Sequence, residues 1–165
     1  MLSGESIYLR MLEKNDIEIL YKLCNEEKAK RYNIIPDDIQ SNNKETSLRK
    51  AFCIINEKNI LIGFVTYKEN NYCNKVYYIG ITIGSQYWGR RYGEDSIKTL
   101  LKYLFEEQNA IRVELEVIKS NSRAIACYKK CGFVEEGIKR NKVYIEGEYV
   151  DTLIMAIITR EAISI

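Results

Sequence analysis

Apolar and polar residues alternate along "SIYLRML", residues 6–12, and the period of two predicts a first strand. In "EKNDIEILYKLCNEE" the pattern changes: Ile17, Leu20, Tyr21 and Cys24 recur at helical spacing, with Asn15 or Asp16 placed to cap. Residues 26–50 are polar, hold the single proline (Pro36) and predict short helical pieces around a mobile loop. Three strand-like runs follow, "AFCIINE", "NILIGFVTYKE" and "KVYYIGITIG", separated by asparagine-rich turns that suit an antiparallel meander. Gly93, Ile97, Leu100, Leu101 and Leu104 then share one face of a helix ending near Glu107. In "IRVELEV", Val113, Leu115 and Val117 fall on one face of a strand, Glu114 and Glu116 on the other.

Asn121 can open a further helix carrying Ala124, Ile125 and Tyr128, which Gly132 stops. The run "FVEEGIKRNKVYIEGEYVDTLIMAII" predicts two strands around a turn at Gly147. The order is β-α-(α)-β-β-β-α-β-α-β-β. Its strand-helix-strand unit near residues 76–117 should be parallel and right-handed. With no internal repeat, linker or low-complexity tract, residues 1–165 read as a single α/β domain of α+β character.

Charge narrows the function less than one absence does. The 25 basic and 23 acidic residues leave a net charge of +2, too small to argue for nucleic-acid or membrane binding. No apolar run is long enough to span a bilayer, and the N-terminus lacks the apolar stretch of a signal peptide, so the expectation is a cytoplasmic protein. There is no histidine. That removes the commonest zinc ligand and every Ser–His or Cys–His pair, and no metal site is expected. The five cysteines (Cys24, Cys53, Cys73, Cys127, Cys131) form no C-x-x-C and read as reduced, mostly buried structural thiols.

The chemistry concentrates in "YWGRRYGEDSIKTLL", residues 87–101. Strand, glycine-bracketed arginines and helix follow one another. A helix N-terminus offers unpaired N–H groups and partial positive charge, and Gly89 and Gly93 let backbone come close to an anion. Arg90 and Arg91 add donors suited to phosphate. The stretch is neither a P-loop nor G-x-G-x-x-G. Taken alone it describes a phosphate site and a surface loop with two solvated arginines equally well.

Thirty residues on, "NSRAIACYKKCGF" sets Asn121 and Tyr128 two turns apart on one helix face. Together the two segments resemble the GCN5-related N-acetyltransferase (GNAT) family. The family's Q/R-x-x-G-x-G/A loop corresponds to Trp88, Gly89, Arg90, Arg91, Tyr92 and Gly93. Its segment N-x-x-A-x-x-x-Y-x-K-x-G-F is matched by Asn121, Ala124, Tyr128, Lys130, Gly132 and Phe133. The ending "EEGIKRNKVYIEGEYVDTLIM" is similar to the branch holding ribosomal-protein and spermidine N-acetyltransferases. The resemblance implies a twisted, mostly antiparallel sheet with a splayed parallel pair and helices on both faces. It implies acetyl-CoA as co-substrate, with the pyrophosphate on the loop amides and pantetheine along Ile81, Thr82 and Ile83. One backbone N–H there would polarise the thioester carbonyl. By the same resemblance Tyr128 is the general acid that protonates the departing thiolate, and Asn121 is a cofactor contact or a helix cap, or both. Two residues depart from the family: Trp88 replaces Gln or Arg, and Arg91 replaces glycine. If φ is positive at Arg91, the substitution strains the loop by roughly 1 kcal/mol.

The implied reaction is direct attack of a primary amine, on a small molecule or a protein N-terminus, upon acetyl-CoA. A free alkyl amine has a pKa of about 10 and must lose a proton first. Glu114, Glu116 and Asp151 are the candidate bases, directly or through water, although a solvated face or a structural ion pair is the preferred reading of each. A polyamine acceptor, an amino sugar, an aminoglycoside and a non-catalytic CoA-binding module all stay open, as does a homo-oligomer paired through a strand edge.

Overall fold

A computed structural model describes residues 1–32 and 50–159. Eight strands form one sheet in the order β1-β2-β3-β4-β5-β6-β8-β7. They are β1 (Leu2–Ser3), β2 (Ile7–Met11), β3 (Lys50–Asn56), β4 (Leu61–Glu69), β5 (Val76–Ile83), β6 (Arg112–Ile118), β7 (Val134–Ile145) and β8 (Glu148–Ile158). Among the described residues the α-helices are α1 (Ile17–Cys24), α2 (Glu27–Lys30), α3 (Tyr92–Lys102) and α4 (Ser122–Lys130). Antiparallel pairing runs from β1 through β5, as the meander predicts, and β7–β8 is a hairpin. Its turn puts Glu146 and Gly147 at φ 51° and 92°, the mirror-image geometry that two-residue hairpins favour.

β3 shows why helices cover both faces. Its centre is apolar without alternation, as a strand buried on two sides must be. Phe52 and Ile54 pack with Ile97 and Leu100 of α3 and with Leu104 just beyond it, all almost wholly buried; Cys53 and Ile55 pack with Leu20, Leu23 and Cys24 of α1. The apolar face of α1 is therefore Leu20–Leu23–Cys24. Ile17 and Tyr21, expected to share it, are 54% and 70% exposed. The helix is also shorter than its pattern suggests, entered by a 3₁₀ turn at Lys14–Asp16. Asp16 does not cap it. Its φ and ψ are helical, and its carboxylate turns back to Arg10 and to the Glu13 N–H.

β1 has no counterpart in the predicted elements, and α3 ends in one turn of π-helix, Tyr103–Glu107. Most of the polar stretch 26–50 lies outside the described residues. Gly132, at φ 89°, follows the end of α4 as expected.

β5 and β6 are the parallel pair, and they separate. Pairing holds from Val76–Arg112 to Tyr78–Glu114 and then stops. Beyond it β5 stays with β4 up to Ile83, and β6 stays with β8 up to Ile118. Gly63 of β4 helps hold β5 to its own side, since a Cβ there would lie 2.2 Å from the Thr82 carbonyl oxygen. The two strands thus diverge into a wedge, β5 forming one wall and β6 the other.

Candidate active site

The wedge opens into a cleft of about 410 Å³. Ile81, Thr82 and Ile83 line one wall, and Asn121 and Tyr128 of α4 line the other. Trp88, Gly89, Arg90, Arg91, Tyr92 and Gly93 close its end. Every cofactor-site residue singled out from the sequence therefore meets at one place, along with the proposed acid.

The loop geometry follows from its residues. The Trp88 indole N–H donates to the Ile83 carbonyl (2.8 Å), folding the ring back on β5. Gly89 adopts φ 77°, a conformation glycine takes without a side-chain penalty. Arg91 is left-handed too, at φ 63° and ψ 0°, where the family has glycine. The conditional raised by its sequence thus resolves to the strained arm, of order 1 kcal/mol. The Arg91 carbonyl accepts the first bond of α3, from the Asp95 N–H (3.0 Å). The amides of Tyr92, Gly93 and Glu94 are then the unpaired donors of the helix N-terminus. Gly93 sits against α4: a Cβ there would meet the Cys127 sulfur at 3.5 Å. Tyr92 is buried, and its hydroxyl donates to Glu57 (2.8 Å), a bond that raises the phenol pKa.

On the opposite wall Asn121 caps α4, its Oδ1 accepting from the Ala124 N–H (3.2 Å). It is 7% exposed and faces the same cleft, so the cap is observed and a cofactor contact is compatible with it. Tyr128 is 8% exposed, its ring 5.9 Å from that of Phe133 in an edge-on contact. Burial raises its pKa, the Cys127 and Cys131 sulfurs add to the rise, and Arg123 opposes it. The phenol is held protonated, the state an acid needs.

The three candidate bases are all engaged. Glu114 accepts from Arg112 at 2.8 and 3.0 Å. Asp151 accepts from the Asn141 N–H (3.0 Å) and lies 3.6 Å from Lys119. Only Glu116 of the three lines the cleft, and it is bound to Lys139 (2.7 Å) and Thr152. Burial works against its charge, but those two hydrogen bonds prevail and its pKa is lowered, which weakens it as a base. The structural reading of these carboxylates accords with the geometry.

Sequence reasoning passed over Arg123, Cys127 and Lys130, which also line the cleft. All three stand inside the segment that carries the family resemblance, but none is three or four positions from Asn121 or Tyr128, so helical spacing from those two gave no signal.

A family model described as "Acetyltransferase (GNAT) family" matches residues 17–133. The spermidine N(1)-acetyltransferase of Vibrio cholerae is 27% identical over 94% of both chains. The putative ribosomal N-acetyltransferase YdaF of Bacillus subtilis is 25% identical over 96% of this chain and 94% of its own. Among solved structures, spermidine N-acetyltransferase from Vibrio cholerae in complex with CoA and spermine aligns with a TM-score of 0.82 and 25% identity, covering 96% of this chain and 98% of that one. The family match and the CoA-bound structural neighbour define an acyl-CoA-dependent transferase. The chain belongs to the GNAT family, and its activity is acetyl-CoA-dependent N-acetyl transfer.

Proposed function

We propose that the acceptor is the primary amine of a polyamine, and that it attacks the thioester directly. The observation that carries the catalytic part is the cleft between β5 and β6. It joins an anion-binding helix N-terminus at one end to a protonated, buried tyrosine along its wall. The acceptor class is supported by full-length similarity to proteins named spermidine acetyltransferases, one of them crystallised with spermine.

In this reading the amides of Tyr92, Gly93 and Glu94, with those of the preceding loop, hold the pyrophosphate. The β5 edge at Ile81–Ile83 orders the pantetheine arm, which fixes the thioester for attack. A backbone N–H of that edge stabilises the developing oxyanion. Tyr128 donates its proton to the leaving thiolate. Asn121 holds the N-terminus of α4, and through it Tyr128, against the cofactor.

A thiol-release assay over an amine panel tests the proposal: spermidine, spermine, short diamines, an aminoglycoside and a peptide with a free N-terminus. Polyamines should turn over best, with intersecting initial-rate lines. Turnover of the peptide alone would replace the acceptor class. Parallel lines would overturn direct attack. Release with no amine would leave a CoA-binding module.

A further inference from the structure

The cleft carries more positive charge than its loop accounts for. Arg90, Arg91, Arg123 and Lys130 all line it, and none of the four forms an ion pair among the described residues. Its two carboxylates are already taken, Glu94 by Lys98 (3.2 Å) and Glu116 by Lys139 (2.7 Å). Arg90 and Arg91 belong to the loop. Arg123 stands on α4, across the cleft from β5.

Its placement is unusual. The guanidinium carbon of Arg123 lies 3.1 Å from the centre of the Trp88 ring, well inside cation–π range. Trp88 is itself fixed by its bond to the Ile83 carbonyl. A continuous link therefore runs from the end of β5 through the indole to the first turn of α4, joining the two walls. A guanidinium lying flat on a ring keeps its N–H donors at its edge, pointing outward in its own plane. The contact therefore restricts the orientation of the donors, and none of them is hydrogen-bonded among the described residues. Arg123 is exposed at the cleft, so its charge is within reach of an incoming ligand. A planar donor edge suits phosphate oxygens. The arrangement depends on tryptophan at position 88, where the family has Gln or Arg.

We propose that Arg123, pre-oriented by stacking on Trp88, is a phosphate-binding residue for CoA, acting from α4 beside the Gly89–Gly93 loop. The proposal rests on the cleft being the CoA site. The phosphate is either one of the diphosphate pair or the 3′-phosphate of the ribose, and the ligands below separate them. Because the stack orders the guanidinium in advance, binding need not immobilise a free side chain.

Calorimetric titration with CoA, 3′-dephospho-CoA and pantetheine tests it. Arg123→Gln should weaken CoA binding by about 5–30-fold, the range for loss of one charge-assisted contact. Pantetheine binding should stay unchanged, and KM for acetyl-CoA should rise while kcat stays within about threefold. Arg123→Lys, which keeps the charge without the flat stack, should fall between. Trp88→Leu should weaken CoA binding in the same direction, and Arg123→Gln should cost less in that background, since the two residues act as a unit. An equal loss with dephospho-CoA assigns the contact to the diphosphate; disappearance of the loss assigns it to the 3′-phosphate. If the wild-type chain binds CoA and Arg123→Gln and Arg123→Lys bind it within twofold as tightly, the proposal is overturned. An equal loss for pantetheine overturns it too. Failure of the wild-type chain itself to bind CoA would instead strike the assignment of the cleft.

Discussion

Asp95, in the first turn of α3, accepts a 2.7 Å hydrogen bond from the backbone N–H of Ser6, more than eighty positions away in the chain. The same carboxylate accepts from the Glu5 and Ile7 N–H groups (2.9 and 3.2 Å) and from the Ser6 hydroxyl (3.0 Å). The β1–β2 turn is wrapped around it so closely that a Cβ at Gly4 would lie 2.4 Å from its Oδ1. One side chain thus pins the N-terminal strands to the helix whose start forms the cofactor loop. Asp95→Ala should destabilise the fold by about 2 kcal/mol or more, because several donors lose a charged acceptor. Denaturant unfolding measures this, and an unchanged midpoint would show that water replaces the carboxylate at no cost.

Arg91 occupies left-handed backbone (φ 63°) with its side chain exposed. Glycine removes the steric penalty of that conformation; alanine retains it. Arg91→Gly should therefore raise the melting temperature by about 2–4 °C, the shift that about 1 kcal/mol gives a chain of this size. Arg91→Ala should give no such rise. A rise in both variants would trace the effect to charge rather than to backbone.

The contrast between these two residues shows what the chain reveals before folding. The loop, both cleft helices and the Asn121–Tyr128 pairing were legible because they are local: turn residues, caps and helical spacing act within a few positions. The splay of β5 from β6 came only through the family resemblance, since periodicity says where a strand lies and not where its pairing ends. Arg91 was flagged as a conditional because side-chain identity does not fix φ. The bonds of Asp95 to Ser6 and of Trp88 to Ile83, and the stack of Arg123 on Trp88, are tertiary and leave no periodic trace. For α1 the pattern misled. Ile17 and Tyr21 fit helical spacing, yet Leu23 completes the buried face and both of them point outward.

Arg10 grips Asp16 with two hydrogen bonds, 2.7 and 2.8 Å, on a carboxylate only 8% exposed. These bonds dominate the shift that holds the Asp16 carboxyl well below the usual range; burial opposes them, and the Glu13 N–H and the Cys53 thiol assist. A carboxylate with a depressed folded-state pKa stabilises fully above its unfolded value, about 3.9, and the contribution fades as pH falls below that. Asp16→Asn should cost about 2–3 kcal/mol at neutral pH and flatten the loss of stability between roughly pH 4 and 2. Urea midpoints measured across that window check both parts. An equally steep acid limb in the variant would assign it to other carboxylates.

Glu114, Glu116 and Asp151 should prove dispensable as bases, since each already serves a cation or a backbone donor. Replacing each in turn by its amide should lower kcat by less than about tenfold and leave the pKa of the ascending pH–rate limb in place. That limb then reports the acceptor amine losing its own proton to water. A fall of about 10²-fold or more in Glu116→Gln, with the limb displaced, would make Glu116 the base, the one candidate that lines the cleft.

Tyr128 carries the sharpest expectation. Its ring packs on Phe133 and its pKa is raised chiefly by burial, so phenylalanine preserves the packing and removes only the proton donor. If the phenol protonates the departing thiolate, Tyr128→Phe should lower kcat by about 10²-fold while CoA affinity moves by less than about threefold. The pH profile adds a second condition. An acid must be protonated to act, so activity would fall as pH rises through its pKa. An ordinary tyrosine titrates near 10, and the raised value puts that fall later still. The wild-type rate should therefore show no decline from this group between about pH 8 and 10, the range in which the amine is being deprotonated and the rate is rising. A kcat unchanged in Tyr128→Phe would remove the hydroxyl from the mechanism and leave the thiolate to depart into solvent or toward another donor of the cleft.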